Sequence, residues 1–377
     1  MNDDFRPKMS AEEDHITALR DSAKAFSRRN PGVARARQLR DSGGGVNREM
    51  WRTMAGVGWP GILVPEEFGG LGLGLREMGN LLEEISRDLA PEPLNAAAAM
   101  APLLLTNSDN VEIRDSLLQQ VAAGDAILAV AWQEFEGDLA PGAVKTSLDK
   151  GRLNGVKRFV VPADADGYLV SVRSGDGMVI CFIKRGVAGL SVTHELAADG
   201  TTLGLLHLDG VEVSEGVVAS TRVAARALTL AIESSTVLAG AELLGVISRA
   251  LEMTLDHMRV RVQFGKPIGA FQALQHRVSD LYIQQVVCES VVRDALDSLS
   301  SDGSQLSRWA SRVKARCSEA AMNMAREVVQ LHGAIGYADE CDIGLFVQKC
   351  IVLASWLGNA CHHRLRYCEM QQASAAA

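Results

Sequence analysis

The segment RVQFGKPIGAFQALQH, residues 261–276, lies between two long stretches whose apolar residues recur at helical spacing. Gly265, Pro267 and Gly269 fall within its first nine residues. Because proline lacks an N–H and glycine is unfavourable inside a helix, the segment predicts a loop that joins two helices. The same loop carries cations and phenylalanines. A loop that only connects two helices does not need these side chains, so we consider a binding role for them.

The residue types in this loop suit a dinucleotide. The guanidinium of Arg261 can pair bidentately with a phosphate, and backbone N–H groups around Gly265 can add hydrogen bonds. Phe264 or Phe271 can lie against an aromatic ring. From the residues alone, a solvated loop with two core phenylalanines fits equally well.

The rest of the chain alternates between two patterns. Turn signals separate short β-branched and aromatic runs in the middle, at Phe159-Val160-Val161, Tyr168–Val172, Met178–Ile183, Leu203–Leu208 and Val211–Val213. On both sides helical spacing prevails, as in the apolar stripe Trp309, Val313, Cys317, Ala321, Met324, Val328 and Leu331. We therefore predict a mainly α protein with a small antiparallel β domain: a helical part at 1–125, a β domain at 126–225 and a helical bundle at 226–377.

Composition excludes several classes. The 377 residues carry a net charge of −8, which argues against a general nucleic-acid binder. Seven scattered cysteines without a C-x-x-C pair argue against a disulfide framework or a metal site and fit a reducing compartment. The first residues are polar, and the longest uncharged run, 93–108, is too short to cross a membrane. We expect a cytoplasmic protein without a metal, a membrane segment or a nucleic-acid partner.

Three segments together resemble the flavin-dependent acyl-CoA dehydrogenase family: VPEEFGGLGLG at 64–74, residues 261–276, and QLHGAIGY at 330–337. They occur in the family's order, with LNGVKRFVVPADAD at 153–166 in the β domain. The resemblance implies an N-terminal helical domain, a β-barrel-like middle domain and a C-terminal four-helix bundle. It also implies FAD as cofactor, an acyl-CoA thioester as substrate and an electron-transfer flavoprotein as electron acceptor.

In that family a carboxylate removes the α-proton while the β-hydrogen leaves as hydride to flavin N5. Counted from the 330–337 segment, the position of the usual catalytic glutamate is Leu357. An alternative position, counted back along the preceding helix, is Ser235. Neither side chain can act as the base, so the catalytic residue stays unassigned. Glu233 and Glu242 are the nearby carboxylates, each either a displaced base or a structural group.

The resemblance also divides the flavin contacts into two groups. The aromatic-x-hydroxyl segment that bonds the isoalloxazine edge becomes Phe159-Val160-Val161, so Val161 offers no hydroxyl. Gln133-Glu134-Phe135 stands where the family has Thr-Glu-Pro. By contrast, the residues that reach a neighbouring subunit's FAD in this family are retained: Arg261, Gln263, Phe264, Gln272, Gln330 and Gly333.

This division is similar to that of the heteromeric bacterial acyl-CoA dehydrogenases of steroid side-chain degradation. There, two unlike homologous subunits form an α2β2 assembly with fewer flavins than chains. We therefore expect a subunit that completes its partner's FAD site. The alternatives are a complete homotetramer with a displaced base, a non-catalytic acyl-CoA-binding scaffold, and an oxidase or monooxygenase on the same fold.

Overall fold

The computed structural model describes residues 11–213 and 216–376. Residues 1–10, whose polarity contributes to the expectation of a cytoplasmic protein, lie outside the described residues. Six helices form the N-terminal part, and a π-helical turn at Asn95–Met100 leads into the fifth. They are α1 Ala11–Arg29, α2 Gly32–Asp41, α3 Arg48–Ala55, α4 Leu75–Ser86, α5 Ala101–Thr106 and α6 Val111–Ala123.

Local sequence explains where several of these helices begin and end. The side chain of Asn47 accepts a hydrogen bond from the N–H of Met50 at the start of α3, and Asn110 does the same for α6. Such N-caps satisfy N–H groups that have no partner inside the helix. Gly124 ends α6 with a φ of 76°, a conformation that glycine adopts without strain.

The middle of the chain forms one eight-stranded sheet. The strand order is β6-β7-β3-β2-β4-β5-β8, with β1 paired to β4. The strands are β1 Leu128–Ala131, β2 Ser147–Asp149, β3 Arg152–Val160, β4 Gly167–Ser174, β5 Gly177–Lys184, β6 Leu190–Leu196, β7 Thr202–Glu212 and β8 Val217–Ala219. This places the predicted β domain between two helical parts, as expected.

Two details of the sheet differ from the sequence prediction. The pairs β1–β4 and β2–β4 are parallel, so a purely antiparallel domain is wrong for those two pairs. Asp209-Gly210 also makes no turn, because β7 runs through it and the register with β3 shifts nearby. Gly210 has a φ of 63°, and its positive φ at an irregularity in the pairing accounts for a turn-like dipeptide inside a strand.

The C-terminal part is a bundle of long helices. They are α7 Ala224–Val260, α8 Gln272–Ser301, α9 Leu306–His332, α10 Ile343–Ser355 and α11 Ala360–Ala376, with a short hairpin of β9 Val262–Gln263 and β10 Lys266–Pro267 after α7. One core cluster joins α7, α8, α9 and α10, which confirms the predicted four-helix bundle. α11 packs against α9 as a fifth helix. The apolar stripe of α9 is buried except for Trp309, which is half-buried.

Two helical stretches, 224–260 and 343–374, are long and apolar enough to cross a membrane by length and composition. In the first, 89% of the apolar window is buried inside the fold; in the second, 44% is. The first stretch is α7, which contacts both the N-terminal helices and the rest of the bundle. Its apolarity therefore has a structural reason, because it is the helix around which the domains pack.

A close contact between α4 and α7 at Gly245 predicts that this position is sensitive to substitution. A Cβ at Gly245 would lie 2.1 Å from the carbonyl oxygen of Glu83, a backbone atom that cannot move aside. We expect Gly245→Ala to destabilise the fold by about 1–3 kcal/mol through overpacking. In the control Gly344→Ala, the added Cβ meets no atom within 4 Å, so helix propensity should make it neutral or slightly stabilising. Urea denaturation would measure both, and equal midpoints would contradict the packing argument.

Candidate flavin site

The hairpin after α7 places an aromatic ring in solvent. Phe264 and Gly265 form its two-residue loop with φ angles of 52° and 77°. Positive φ at both loop residues is typical of a type I′ turn, and it is strained for a phenylalanine. Phe264 is 92% exposed, with its ring edge-on to Phe271 at 6.2 Å. The interpretation of two core phenylalanines is therefore wrong for Phe264.

Two helix ends that are distant in sequence meet at this end of the bundle. The rings of His257, in the last turn of α7, and His332, at the end of α9, stack with their centroids 4.5 Å apart. α8 begins at the same end, and its Arg277 forms an ion pair of 2.6 Å with Glu327 of α9. The ends of α7 and α9 and the start of α8 therefore form one surface.

The six residues predicted to contact FAD are all exposed on this surface: Arg261, Gln263, Phe264, Gln272, Gln330 and Gly333. Large apolar side chains stand exposed beside them, at Val260, Val262, Ile335 and Tyr337. None of the six lines either of the two interior cavities described below. This end of the bundle therefore exposes cations, amides and apolar groups, which are available to contact another molecule.

At the position that the sequence predicts for the usual catalytic glutamate, the structure holds a buried aliphatic side chain. Leu357 is 5% exposed and has a φ of 59°. It lines a cavity of about 420 Å³ together with Trp132, Leu139, Glu233 and Arg366 among others. This cavity therefore has a hydrocarbon side chain, and no carboxylate, at position 357.

The turn that carries Leu357 is fixed from two sides. Lys314 of α9 is fully buried, and its Nζ donates to the carbonyl oxygens of Leu353 at 2.8 Å, Ala354 at 3.1 Å and Gly358 at 2.8 Å. An ammonium suits this place because carbonyls at a helix C-terminus lack partners and carry partial negative charge. On the other side, His363 lies 2.8 Å through Nε2 from the carbonyl oxygen of Leu357.

The two alternative carboxylates differ in how firmly they are held. Glu233 is 5% exposed, pairs with Arg366 and accepts a hydrogen bond of 2.6 Å from the hydroxyl of Ser307. It therefore has the contacts of a structural ion pair. Glu242 accepts a 2.8 Å hydrogen bond from the amide of Asn95, and burial raises the pKa of its carboxyl.

Glu242 and Val161 line the same cavity, of about 90 Å³, with Trp356 and Lys349. The sequence predicts Val161 at the place of the family's hydroxyl that meets the isoalloxazine edge, and a valine cannot make that hydrogen bond. The neighbouring Glu134 is also engaged, because Lys157 donates to it at 2.7 Å inside the sheet. Around Val161, this chain therefore offers apolar surface and charged groups that already have partners within the chain.

Sequence reasoning missed Lys314, His363, Asn95 and Lys349. A signal existed for Lys314, since it lies four residues after Ala310 and three before Cys317, at helical spacing within an apolar face. The others had no signal, because their partners are distant in sequence. Among the described residues, no group of three or more His, Cys, Asp and Glu could hold a metal ion.

His363 predicts acid sensitivity. Burial lowers its pKa to about 3, against an ordinary value near 6.5, so between these pH values the unfolded chain binds a proton that the folded chain does not. Stability from this group is therefore present above pH 6.5 and lost as the pH falls toward 3, by up to about 1.4 kcal/mol per pH unit.

We expect His363→Gln to flatten the fall in unfolding free energy across this window, measured by urea titration at several pH values. The control is His15→Gln on the exposed face of α1, which should keep the slope of the unmodified protein. Identical slopes for all three proteins would show that His363 does not titrate with folding.

Known proteins with similar sequences match both helical parts of this chain. The family models "Acyl-CoA dehydrogenase, N-terminal domain" and "Acyl-CoA dehydrogenase, C-terminal domain" match residues 13–125 and 225–366. Acyl-CoA dehydrogenase FadE27 of Mycobacterium tuberculosis is 31% identical over 308 residues, which cover 77% of this chain and 79% of FadE27.

Two solved structures share the fold over almost their whole length. A variant of the Tcur3481-Tcur3483 steroid ACAD superposes with a TM-score of 0.87 at 28% identity, covering 97% of this chain and 99% of that one. The ChsE4-ChsE5 complex from Mycobacterium tuberculosis gives 0.86 at 25% identity, covering 98% and 99%. The fold, the family models and the FadE27 alignment agree: this chain belongs to the acyl-CoA dehydrogenase family, whose members are FAD-dependent oxidoreductases.

Proposed function

We propose that this chain is one subunit of a heteromeric acyl-CoA dehydrogenase and that it completes the FAD site of an unlike, homologous partner. The proposed reaction is α,β-dehydrogenation of an acyl-CoA thioester with a steroid side chain, in the cytoplasm, with an electron-transfer flavoprotein as acceptor. One observation carries the proposal. The residues for a neighbour's FAD stand exposed at the end of the bundle, while the position of this chain's own base is the buried Leu357.

The exposed surface fits part of an FAD molecule. Arg261 offers a planar guanidinium that can take two phosphate oxygens, and the open turn at Gly265 leaves space beside the backbone. Phe264 offers a ring face, and the amides of Gln263 and Gln330 can donate or accept. FAD, when bound, supplies the acceptor for the hydride that leaves the β-carbon.

The cavities of this chain match the isoalloxazine ring of FAD less well than the exposed surface matches the rest of the cofactor. Val161 and Leu357 replace a hydroxyl and a carboxylate, and Glu233 is held by Arg366. A flavin edge facing Val161 would have an unmatched polar atom, which costs about 1–3 kcal/mol. In the proposed assembly, the partner supplies both the ring cradle and the base that removes the α-proton.

The similar solved structures support an unlike partner and a steroid thioester. One is titled a steroid ACAD and names two gene products, and the other is titled a complex of two proteins. Both align with this chain over nearly its full length.

Co-expression with a homologous chain from the same genetic neighbourhood tests the proposal. We expect a stable complex with fewer FAD molecules than chains, measured by absorbance after denaturation. Arg261→Ala should lower the FAD retained by about tenfold or more in dilution, since a charge-assisted bidentate contact is lost. The control Arg259→Ala removes an exposed cation from the same helix end, one that pairs with Asp256, and should retain FAD. Isolation as a homomer with one FAD per chain and full activity would disprove the proposal.

A second candidate function is favoured by one observation, the cavity that Glu242 shares with Val161 and Trp356. There, a carboxylate with a raised pKa lies near the expected flavin edge. A carboxyl of this kind can serve as a general base, which would make this chain a complete homotetrameric enzyme.

The two candidates differ in what the chain does alone. On the second, an acyl-CoA bleaches the flavin of the isolated protein, and Glu242→Gln slows bleaching about 10²–10⁴-fold in stopped-flow absorbance. Glu252→Gln, which removes a surface carboxylate of α7 paired with Arg87, is the control and should leave the rate unchanged. Absence of bleaching, or equal rates for both variants, would reject Glu242 as the base.

A further inference from the structure

Two half-buried histidines lie within one helical turn of the exposed residues predicted to contact FAD. The ring of His257 in α7 stacks on the ring of His332 in α9, with centroids 4.5 Å apart and ring planes 21° from parallel. The dehydrogenation itself requires neither imidazole, so the pair needs another explanation. We call the six exposed residues the FAD-contact surface: Arg261, Gln263, Phe264, Gln272, Gln330 and Gly333.

The stack connects the core of the bundle to this surface. Met258 and Leu331, the sequence neighbours of the two histidines, are each 4% exposed and belong to the core cluster of the bundle. Arg261 lies one turn after His257, and its N–H donates to the carbonyl oxygen of His257 at 2.9 Å. The contact between the two rings therefore fixes the end of α7 that carries Arg261 against the end of α9.

His332 is held in place on two further sides. Its Nδ1 lies 2.8 Å from the carbonyl oxygen of Val328, one turn earlier in α9. A Cβ at Gly336 would lie 3.1 Å from the Cβ of His332, so the segment after α9 folds back against this side chain. Gly333, with a φ of 69°, makes the change of direction between them. A displaced His332 ring would therefore displace the exposed segment that begins at Gly333.

The charges at the stack oppose two protons. Burial, the neighbouring ring of His332 and the guanidinium of Arg261 lower the pKa of His257. Burial also lowers the pKa of His332. The partial negative charge at the C-terminal ends of two helices favours one proton. A proton on each ring would place two cations 4.5 Å apart, with Arg261 as a third beside them. The two rings therefore titrate as a coupled pair.

The other charged groups on the surrounding helices and hairpin have partners of their own. They are Asp256 with Arg259 at 2.8 Å, Glu327 with Arg277 at 2.6 Å, and Lys266, whose Nζ lies 4.4 Å from the centre of the Phe271 ring. Among the described residues, no carboxylate forms an ion pair with either imidazole. A second proton on the stack is therefore not compensated by a neighbouring negative charge.

We propose that His257 and His332 are a positioning pair for the FAD-contact surface. With at most one proton between them, the rings stay stacked and hold Arg261 in place relative to Gly333. With a proton on each, the rings separate and the surface loosens, so that acid weakens its hold on a neighbour's FAD. The link to FAD rests on the proposed function, whereas the ordering of the surface by the stack does not.

Hydrogen exchange of the chain as purified, corrected for the intrinsic rate at each pH, tests the ordering. We expect peptides covering 258–272 and 330–338 to lose protection about tenfold between about pH 7.5 and about pH 5, as a linked proton allows. His257→Phe keeps a ring that cannot take a proton, so the protection of these peptides should not change with pH. An equal acid loss in the unmodified protein and in His257→Phe would overturn the proposal.

Two further variants separate the stack from other causes. His276→Phe makes the same substitution at an exposed position near the start of α8 and is the matched control, which should keep the acid loss of the unmodified protein. His332→Phe repeats the test from the α9 side, which covers the case that His257→Phe does not fold. A full acid loss in His332→Phe would likewise count against the pair.

The co-expressed complex tests the link to FAD. We expect the unmodified complex to release FAD on dilution about tenfold more readily at about pH 5 than at about pH 7.5, and the His257→Phe complex to release it equally at both. The same pH dependence in both complexes would refute the link to FAD. Acid-dependent exchange in a chain that forms no complex would contradict the proposed function and support the ordering role.

Discussion

The buried Lys314 amine and the carbonyl oxygens around it hold the turn at the centre of this protein. Lys314 lies inside the bundle with its Nζ against three carbonyl oxygens, two from the end of α10 and one from Gly358. A buried lysine without such partners would be very costly, so the carbonyls and the lysine require each other. Their contact fixes the turn at Leu357, with a positive φ that a non-glycine residue adopts only under constraint.

The buried centre of the fold and its surface offer different chemistry. Inside, side chains that could have served catalysis are aliphatic or already paired, as Leu357, Val161 and Glu233 show. Outside, the hairpin holds Phe264 in solvent at a conformational cost, and Arg261 stands beside it. Exposed aromatic and cationic groups on a strained turn are typical of a surface that acts on something beyond its own chain.

Several buried charges are matched within the fold. Burying a charged side chain is costly unless an opposite charge or hydrogen bonds accompany it. Lys349 with Asp199 and Arg35 with Glu92 are such pairs. Asn95 differs from them, because among the described residues its buried Oδ1 has no hydrogen-bond partner.

The sequence by itself determined the order of helical and β parts, the long buried stripe of α9 and the break after α7. These depend on local chemistry: helical spacing of apolar residues, and glycine and proline where a helix must stop. The motifs around 261–276 and 330–337 were also sufficient to indicate the family. The sequence could not give the parallel pairing of β1 and β2 with β4, because strand order depends on contacts between distant segments.

Only the tertiary structure decided what the central side chains do. The ion pair of Glu233 with Arg366 joins residues 133 positions apart, and the stacking of His257 on His332 joins two helix ends. Burial then changed the chemistry of single groups, such as the lowered pKa of His363 and the raised pKa of Glu242. The sequence alone does not show whether a carboxylate or an imidazole acts as a base or belongs to a structural pair. That depends on its partners and on its distance from water, which the tertiary structure sets.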